Sequence, residues 1–175
     1  MSSTVVLRME PGRPGARCRT AGVILAAAIA ACATLPCLAV EGESDLQAAT
    51  AADPDYAAGR KAVEARDWNA AIKFFSSAAL RAPDNADIQN YLGYAHRKAG
   101  MLEPAFKHYQ RALELNPRHR GAHEYVGEAY LMVGNLAKAE EHLAALDRIC
   151  LLPCEEYSDL RRAIAGYKKK SAGAK

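Results

Sequence analysis

One spacing constrains this chain more than any other feature. Gly59, Gly93 and Gly127 recur at a constant interval, and Ala71, Ala105 and Ala139 keep the same one. Phe75, Tyr109 and Leu143 form a column of larger side chains, and Ala78, Ala112 and Leu146 form the next. Pro83 and Pro117 close the first two windows, and Leu151 stands where a third proline would fall. A period of roughly 34 residues means units that cannot bury their apolar faces alone and do so by stacking. Hydrophobic residues make up 50% of the chain but aromatics only 7%, so alanine supplies much of the apolar content. Alanine favours helix and is poor in strands, which points to close-packed helices.

Each window reads as helix, turn, helix, stop. Arg66-Asp67, Gly100-Met101 and Gly134-Asn135 mark the turns. Glycine accepts the left-handed closing residue of a helix without cost, so Arg66 implies mild strain at the first turn. Proline at the end of a window lacks an N–H and pushes the preceding residue out of helical geometry. Asp53-Pro54 offers a capping carboxylate and a proline at the first helical position, and Pro104 falls in a first turn where its missing N–H is harmless. The glycine column allows the second helix of a unit to approach the first closely, with the alanine at the twentieth position as its counterpart. The large residues at the twenty-fourth position are expected to fill the gap to the next unit.

These columns resemble the tetratricopeptide repeat. Leu92-Gly93 matches the leucine–glycine pair of that family's first helix, and Ala105, Tyr109, Ala112 and Pro117 match the alanine, aromatic, alanine and proline of its second. The resemblance covers three units, 52–85, 86–119 and 120–153, and implies an all-α, right-handed superhelix of about seven helices. The outer units depart from the pattern, with Ala58 where leucine is usual, Trp68 in the first turn, and Leu146 and Leu151 for alanine and proline. Terminal repeats lack a neighbour on one side and are expected to be atypical.

The N-terminus reads as an address. Positions 1–39 hold four arginines (Arg8, Arg13, Arg17, Arg19) and one acid, Glu10, and then an apolar run from Ala21 to Leu35 ahead of Pro36-Cys-Leu-Ala39. That order is a secretory signal peptide, with cleavage expected after Ala39. Two alternatives stay open: a lipoprotein cleavage box at Ile29-Ala-Ala-Cys32, which would leave the chain membrane-anchored through a lipidated Cys32, or an uncleaved anchor. Positions 40–52 read as a mobile leader. Without positions 1–39 the overall charge of +3 disappears, so the repeat region lacks the basic footprint of a nucleic-acid binder.

Past the third unit, Tyr157, Leu160, Ile164 and Tyr167 form one helical stripe. Glu155 and Glu156 at its start and Lys168 to Lys170 at its end suit the helix dipole. Positions 154–170 therefore read as a capping helix, followed by a disordered tail, 171–175. Cleavage after Ala39 leaves two cysteines, Cys150 and Cys154, with Pro153 between them to break the helix. They are expected to form a disulfide worth about 2 kcal/mol that pins the cap to the last repeat. A redox-active pair is the rival, although three intervening residues do not match C-x-x-C spacing.

No catalytic set, cofactor motif or metal-ligand spacing stands out. His119 and His123 lie four apart, but His119 falls in the expected inter-repeat loop. The resemblance places function on the variable positions of each first helix, which line the inner groove. These are Tyr56, Arg60, Val63 and Glu64; Asn90, Tyr94, Arg97 and Lys98; and Glu124, Glu128, Leu131 and Met132. An extended peptide would lay its acidic part near Arg60 and Arg97 and a basic part near Glu124 and Glu128. Family members that grip acidic chaperone tails use a polar clamp whose matching positions here are Tyr56, Arg60, Tyr91, Gly121 and Tyr125. Only Arg60 is cationic, which argues against that role. The expectation is a non-enzymatic interaction module in the periplasm that binds another protein or peptide, such as an envelope protein, and neither nucleic acid nor a small substrate. A redox or cofactor-maturation accessory using Cys150 and Cys154, and a self-associating structural protein, are the alternatives.

Overall fold

The computed structural model describes residue 50 and residues 53–173. The expected signal peptide, including the apolar run and Cys32, lies outside the described residues. Among the described residues seven helices follow one another: α1 Pro54–Glu64, α2 Trp68–Arg81, α3 Ala86–Lys98, α4 Leu102–Leu115, α5 Arg120–Met132, α6 Leu136–Ile149 and α7 Glu155–Gly173. The first six form three antiparallel pairs, and each pair packs on the next. Among the described residues no helix is long and apolar enough to cross a membrane.

Local chemistry sets the boundaries. Asp53 Oδ1 accepts from the N–H groups of Asp55 and Tyr56, at 2.8 and 3.0 Å, with Pro54 at the first helical position. Asp67, Asn85 and Asn135 cap α2, α3 and α6 in the same way. The turns inside the pairs share one geometry. Arg66, Gly100 and Gly134 have φ of 58, 80 and 77°. The following N–H groups of Asp67, Met101 and Asn135 return to the carbonyls of Ala62, His96 and Tyr130 at 2.9, 2.9 and 2.8 Å. This is the Schellman closure. Arg66 adopts it without glycine's freedom, at a cost of about 1–2 kcal/mol.

The glycine column works through aromatic rings. A Cβ on Gly59 would lie 2.7 Å from the Phe75 ring, and one on Gly93 2.6 Å from the Tyr109 ring. The large residue at the twenty-fourth position thus lies directly over the glycine of its own unit as well as facing the next. Phe75 also stacks on Tyr91 of the second unit, with ring centroids 5.1 Å apart. The third unit differs. The side chain over Gly127 is Leu160 of α7, 2.7 Å from the would-be Cβ, while Leu143 is only partly buried at the edge of that cluster. Leu160 stands one period after Val126, and Ile164 one period after Tyr130. The last helix therefore continues the repeat register and rests on both α5 and α6, with Leu160 and Ile164 buried.

Two expected boundaries move. The helix expected to end at Lys170 runs to Gly173, into the stretch expected to be disordered. Its far end is fastened by Tyr167, whose hydroxyl donates to the Gly134 carbonyl at 3.4 Å, and by a Lys168–Glu140 ion pair. Thr50, assigned to a mobile leader, is buried, and its hydroxyl accepts from Asn85 Nδ2. Cys150 and Cys154 are joined by a disulfide, with Cα atoms 5.9 Å apart, at the joint between α6 and α7.

Gly93→Ala is expected to lower the unfolding free energy by about 1–3 kcal/mol, because the new methyl overpacks against Tyr109. Gly166→Ala, inside α7 with nothing within 4 Å of its Cβ, is expected to raise it by roughly 0.5–1 kcal/mol. Urea unfolding of the two variants measures the contrast, and equal effects would contradict the ring-over-glycine packing.

Candidate functional site

The first helices of successive units are linked by tyrosines. Tyr56 of α1 meets Tyr91 of α3 edge-on at 5.6 Å, and Tyr94 of α3 meets Tyr125 of α5 at 4.8 Å. Trp68, at the start of α2, adds an edge contact to Tyr94 at 6.1 Å. Tyr91, Tyr94 and Tyr125 remain partly exposed, whereas Tyr56 is buried in the first core cluster with Phe75 and Leu92. Of the expected contact residues, Tyr56 is therefore mainly a packing residue.

The charged positions are rearranged relative to the sequence expectation. Arg97 is only 8% exposed. Its Nη1 lies 2.7 Å from Glu128 Oε2, and its Nε donates to the Tyr109 hydroxyl at 3.2 Å. Its guanidinium sits 5.4 and 5.5 Å from the ring centroids of Tyr94 and Tyr125. Burial works against the charge, but Tyr109 and Glu128 outweigh it and hold the group above its usual range. Arg97 and Glu128 were expected to face opposite ends of a ligand; they are instead partners in one pair joining the second and third units. The pairing escapes sequence reading because it depends on how α3 and α5 lie together.

Asn90 is buried beside Gly121, and its Oδ1 finds no hydrogen-bond partner among the described residues. Leu131 packs into the third core cluster, and Met132 is exposed. Arg60 and Lys98 stay exposed. The Lys98 ammonium lies 5.7 Å from the Trp68 ring centroid and 5.8 Å from that of Tyr94, a cation over aromatic faces. Near the cap, Glu124 is half-buried among carboxylates. Burial first, then Glu128, Asp159 and Glu156, push its carboxyl up to about 8. Glu156 and Asp159 come from α7 and were not anticipated. A signal existed, because Asp159 stands one period after Tyr125 and two after Tyr91, in the same column.

The partly exposed groups of these helices are thus three tyrosines, Tyr91, Tyr94 and Tyr125, with exposed Lys98 and Arg60 on the first two units and Glu124 with the cap carboxylates on the third. Phenol hydroxyls and flat ring faces are groups that commonly contact peptides, and the charges differ in sign between the two ends.

Residues 86–119 match a tetratricopeptide repeat family model, and residues 105–150 match a second tetratricopeptide repeat model. Among characterised proteins, a 75-residue stretch is 32% identical to the human protein O-mannosyl-transferase TMTC3, covering 43% of this chain and only 8% of that protein. Among solved structures, the TPR2B domain of yeast Sti1, in complex with pHsp70, is similar with a TM-score of 0.58 and 19% identity, over 66% of this chain and 94% of that one. PcrH with the chaperone-binding region of PopD gives 0.58 and 20%, over 75% and 96%. SycD of Yersinia enterocolitica with a peptide of the translocator YopD gives 0.58 and 16%, over 67% and 92%. At these identities the likeness establishes the fold, an all-α helical repeat.

Two outcomes follow from the charges. Arg97→Ala is expected to destabilise by about 3–5 kcal/mol, since it strands Glu128 beside a buried cavity, whereas Arg97→Met with Glu128→Leu should recover much of that loss; chemical denaturation compares them. Glu124 titrates above its ordinary 4.5 in the folded state, so from about 4.5 to about 8 the folded state holds a proton that the unfolded chain has released. Its contribution to stability is complete below that window and falls as pH rises through it. Glu124→Gln is expected to flatten the decline in unfolding free energy between pH 5 and 8, measured by urea titrations across that range.

Proposed function

We propose that this chain is an exported, non-enzymatic interaction module whose inner face holds an extended segment of a partner protein in the cell envelope. The observation that carries this reading is the tyrosine row Tyr91, Tyr94 and Tyr125, set between the cations Arg60 and Lys98 and the carboxylate Glu124. A bound segment would place acidic side chains near Lys98 and Arg60 and a basic side chain near Glu124, where its charge would draw that carboxyl into the ionised form. Arg97 contributes by holding Tyr94 and Tyr125 in place rather than by meeting the ligand. Support comes from the similar folds of PcrH and SycD, whose structures contain segments of PopD and YopD. Export rests on the order of charge, apolar run and small residues in 1–39.

A peptide-display selection on the purified chain tests this. Selected peptides are expected to be extended and acidic towards one end, with a basic residue at the other. Lys98→Glu is expected to weaken a selected peptide by about tenfold, near 1.4 kcal/mol, and Glu124→Lys to reverse the preference at the basic end. Unchanged peptide sequences and affinities in both variants, with folding intact, would refute the groove assignment.

A further inference from the structure

Away from the tyrosine row, the third unit holds a pair of imidazoles that the groove does not use. His123 on α5 and His142 on α6 approach with their Nδ1 atoms 2.9 Å apart. His123 Nε2 lies 3.0 Å from the Pro117 carbonyl oxygen. A carbonyl can only accept, so Nε2 carries the proton of the neutral ring and Nδ1 presents a lone pair towards His142. His142 is oriented in turn by stacking on Tyr130, with centroids 5.7 Å apart and planes 17° apart. One period earlier the same two positions are Gln89 and His108, joined by an ordinary bond of 2.8 Å from His108 Nδ1 to Gln89 Oε1. Where the second unit has an amide–imidazole contact, the third has two facing imidazole nitrogens, one carrying a proton and the other a lone pair.

We propose that His123 and His142 bind a late first-row divalent cation, Cu²⁺ or Ni²⁺, through their Nδ1 atoms. Two imidazole nitrogens about 2.05 Å from one metal and at right angles to each other lie about 2.9 Å apart, the spacing of adjacent ligands in tetragonal coordination. In the metal-free protein the same spacing is that of the hydrogen bond from His142 Nδ1–H to His123 Nδ1, and the cation would take the place of that proton. Hydrogen bonding of the other ring nitrogen to a backbone carbonyl, as at His123, is the usual support of a metal-bound histidine. Binding moves the His142 proton from Nδ1 to Nε2 and leaves the His123 proton in place, so no net proton is released at neutral pH. Burial keeps both rings in the neutral, ligating form: it is the main cause that pushes His142 down to about 4, and it lowers His123 as well.

The surroundings are mixed. Glu141 favours a cation, while Lys138, Arg148 and His119 oppose one, and Lys138 is tied to Glu141 at 2.7 Å. Among the described residues no group of three or more histidine, cysteine or acidic side chains is placed to hold a metal, so the protein supplies two donors. Water supplies the rest from a cleft of about 400 Å³ lined by His123, Glu141, His142 and Arg148.

Calorimetric titration of the untagged full chain with NiCl₂ and with CuCl₂ tests the site. The wild type is expected to show saturable binding that His123→Gln weakens by about tenfold or more, beyond what loss of an outer-shell partner alone begins to cost. The glutamine restores the pairing seen in the second unit, so the urea transition should stay in place. His108→Gln, in the equivalent pair of the second unit, should leave binding unchanged. A His142→Asn chain gives an independent reading and should lose binding likewise. Wild-type affinity in both His123→Gln and His142→Asn, or no saturable binding by the wild type, overturns the site.

Discussion

The structure depends on a ring lying flat over a glycine. Phe75 over Gly59 and Tyr109 over Gly93 bring two helices of a unit to a distance that any Cβ would forbid. The same rings reach the next unit, Phe75 by stacking on Tyr91 and Tyr109 through its hydroxyl to Arg97. Arg97 in turn carries the contact across to Glu128 of the third unit. One side chain therefore closes a unit and helps join it to its neighbour. In a repeat protein, where each unit touches only those beside it, this contact links the stability of a unit to that of its interface.

The two interfaces between units use different chemistry. The first is apolar, built from Tyr56, Phe75 and Tyr91. The second is centred on a buried charge, Arg97, held between Glu128, the Tyr109 hydroxyl and two tyrosine faces. A buried pair of this kind adds little net stability over well-packed apolar side chains, but it tolerates few alternative arrangements. It fixes the register of α3 against α5, and with it the positions of Tyr94 and Tyr125 on the proposed binding face.

Most of the fold was legible because the repeated columns are local in sequence and each has one physical cause. The glycines, the turns at Arg66, Gly100 and Gly134, and the Asp53 cap needed no knowledge of tertiary packing. The site was less legible. Arg97 and Glu128 looked like free groove charges because their pairing depends on the closeness of α3 and α5, which α4 separates in sequence. Leu160 looked like a simple capping residue because Arg161 stands where the fourth glycine of the column would be, which hides the continued register. Thr50 lies in a run with no apolar face, so its burial against Asn85 carried no pattern at all.

The disulfide at the joint between α6 and α7 sets where the last helix begins. Four residues of extended chain would span about 14 Å, but Cys150 and Cys154 hold their Cα atoms at 5.9 Å. The first turn of α7 is therefore tied to the end of α6, Leu160 and Ile164 seat its middle on α5 and α6, and Tyr167 and Lys168 fasten its far part. Glu156 and Asp159, beside this tie, are thereby held near Glu124. The tether thus fixes the place at which the acidic residues of α7 meet the inner face, and the chain enters its last helix already aligned with the groove's carboxylate end.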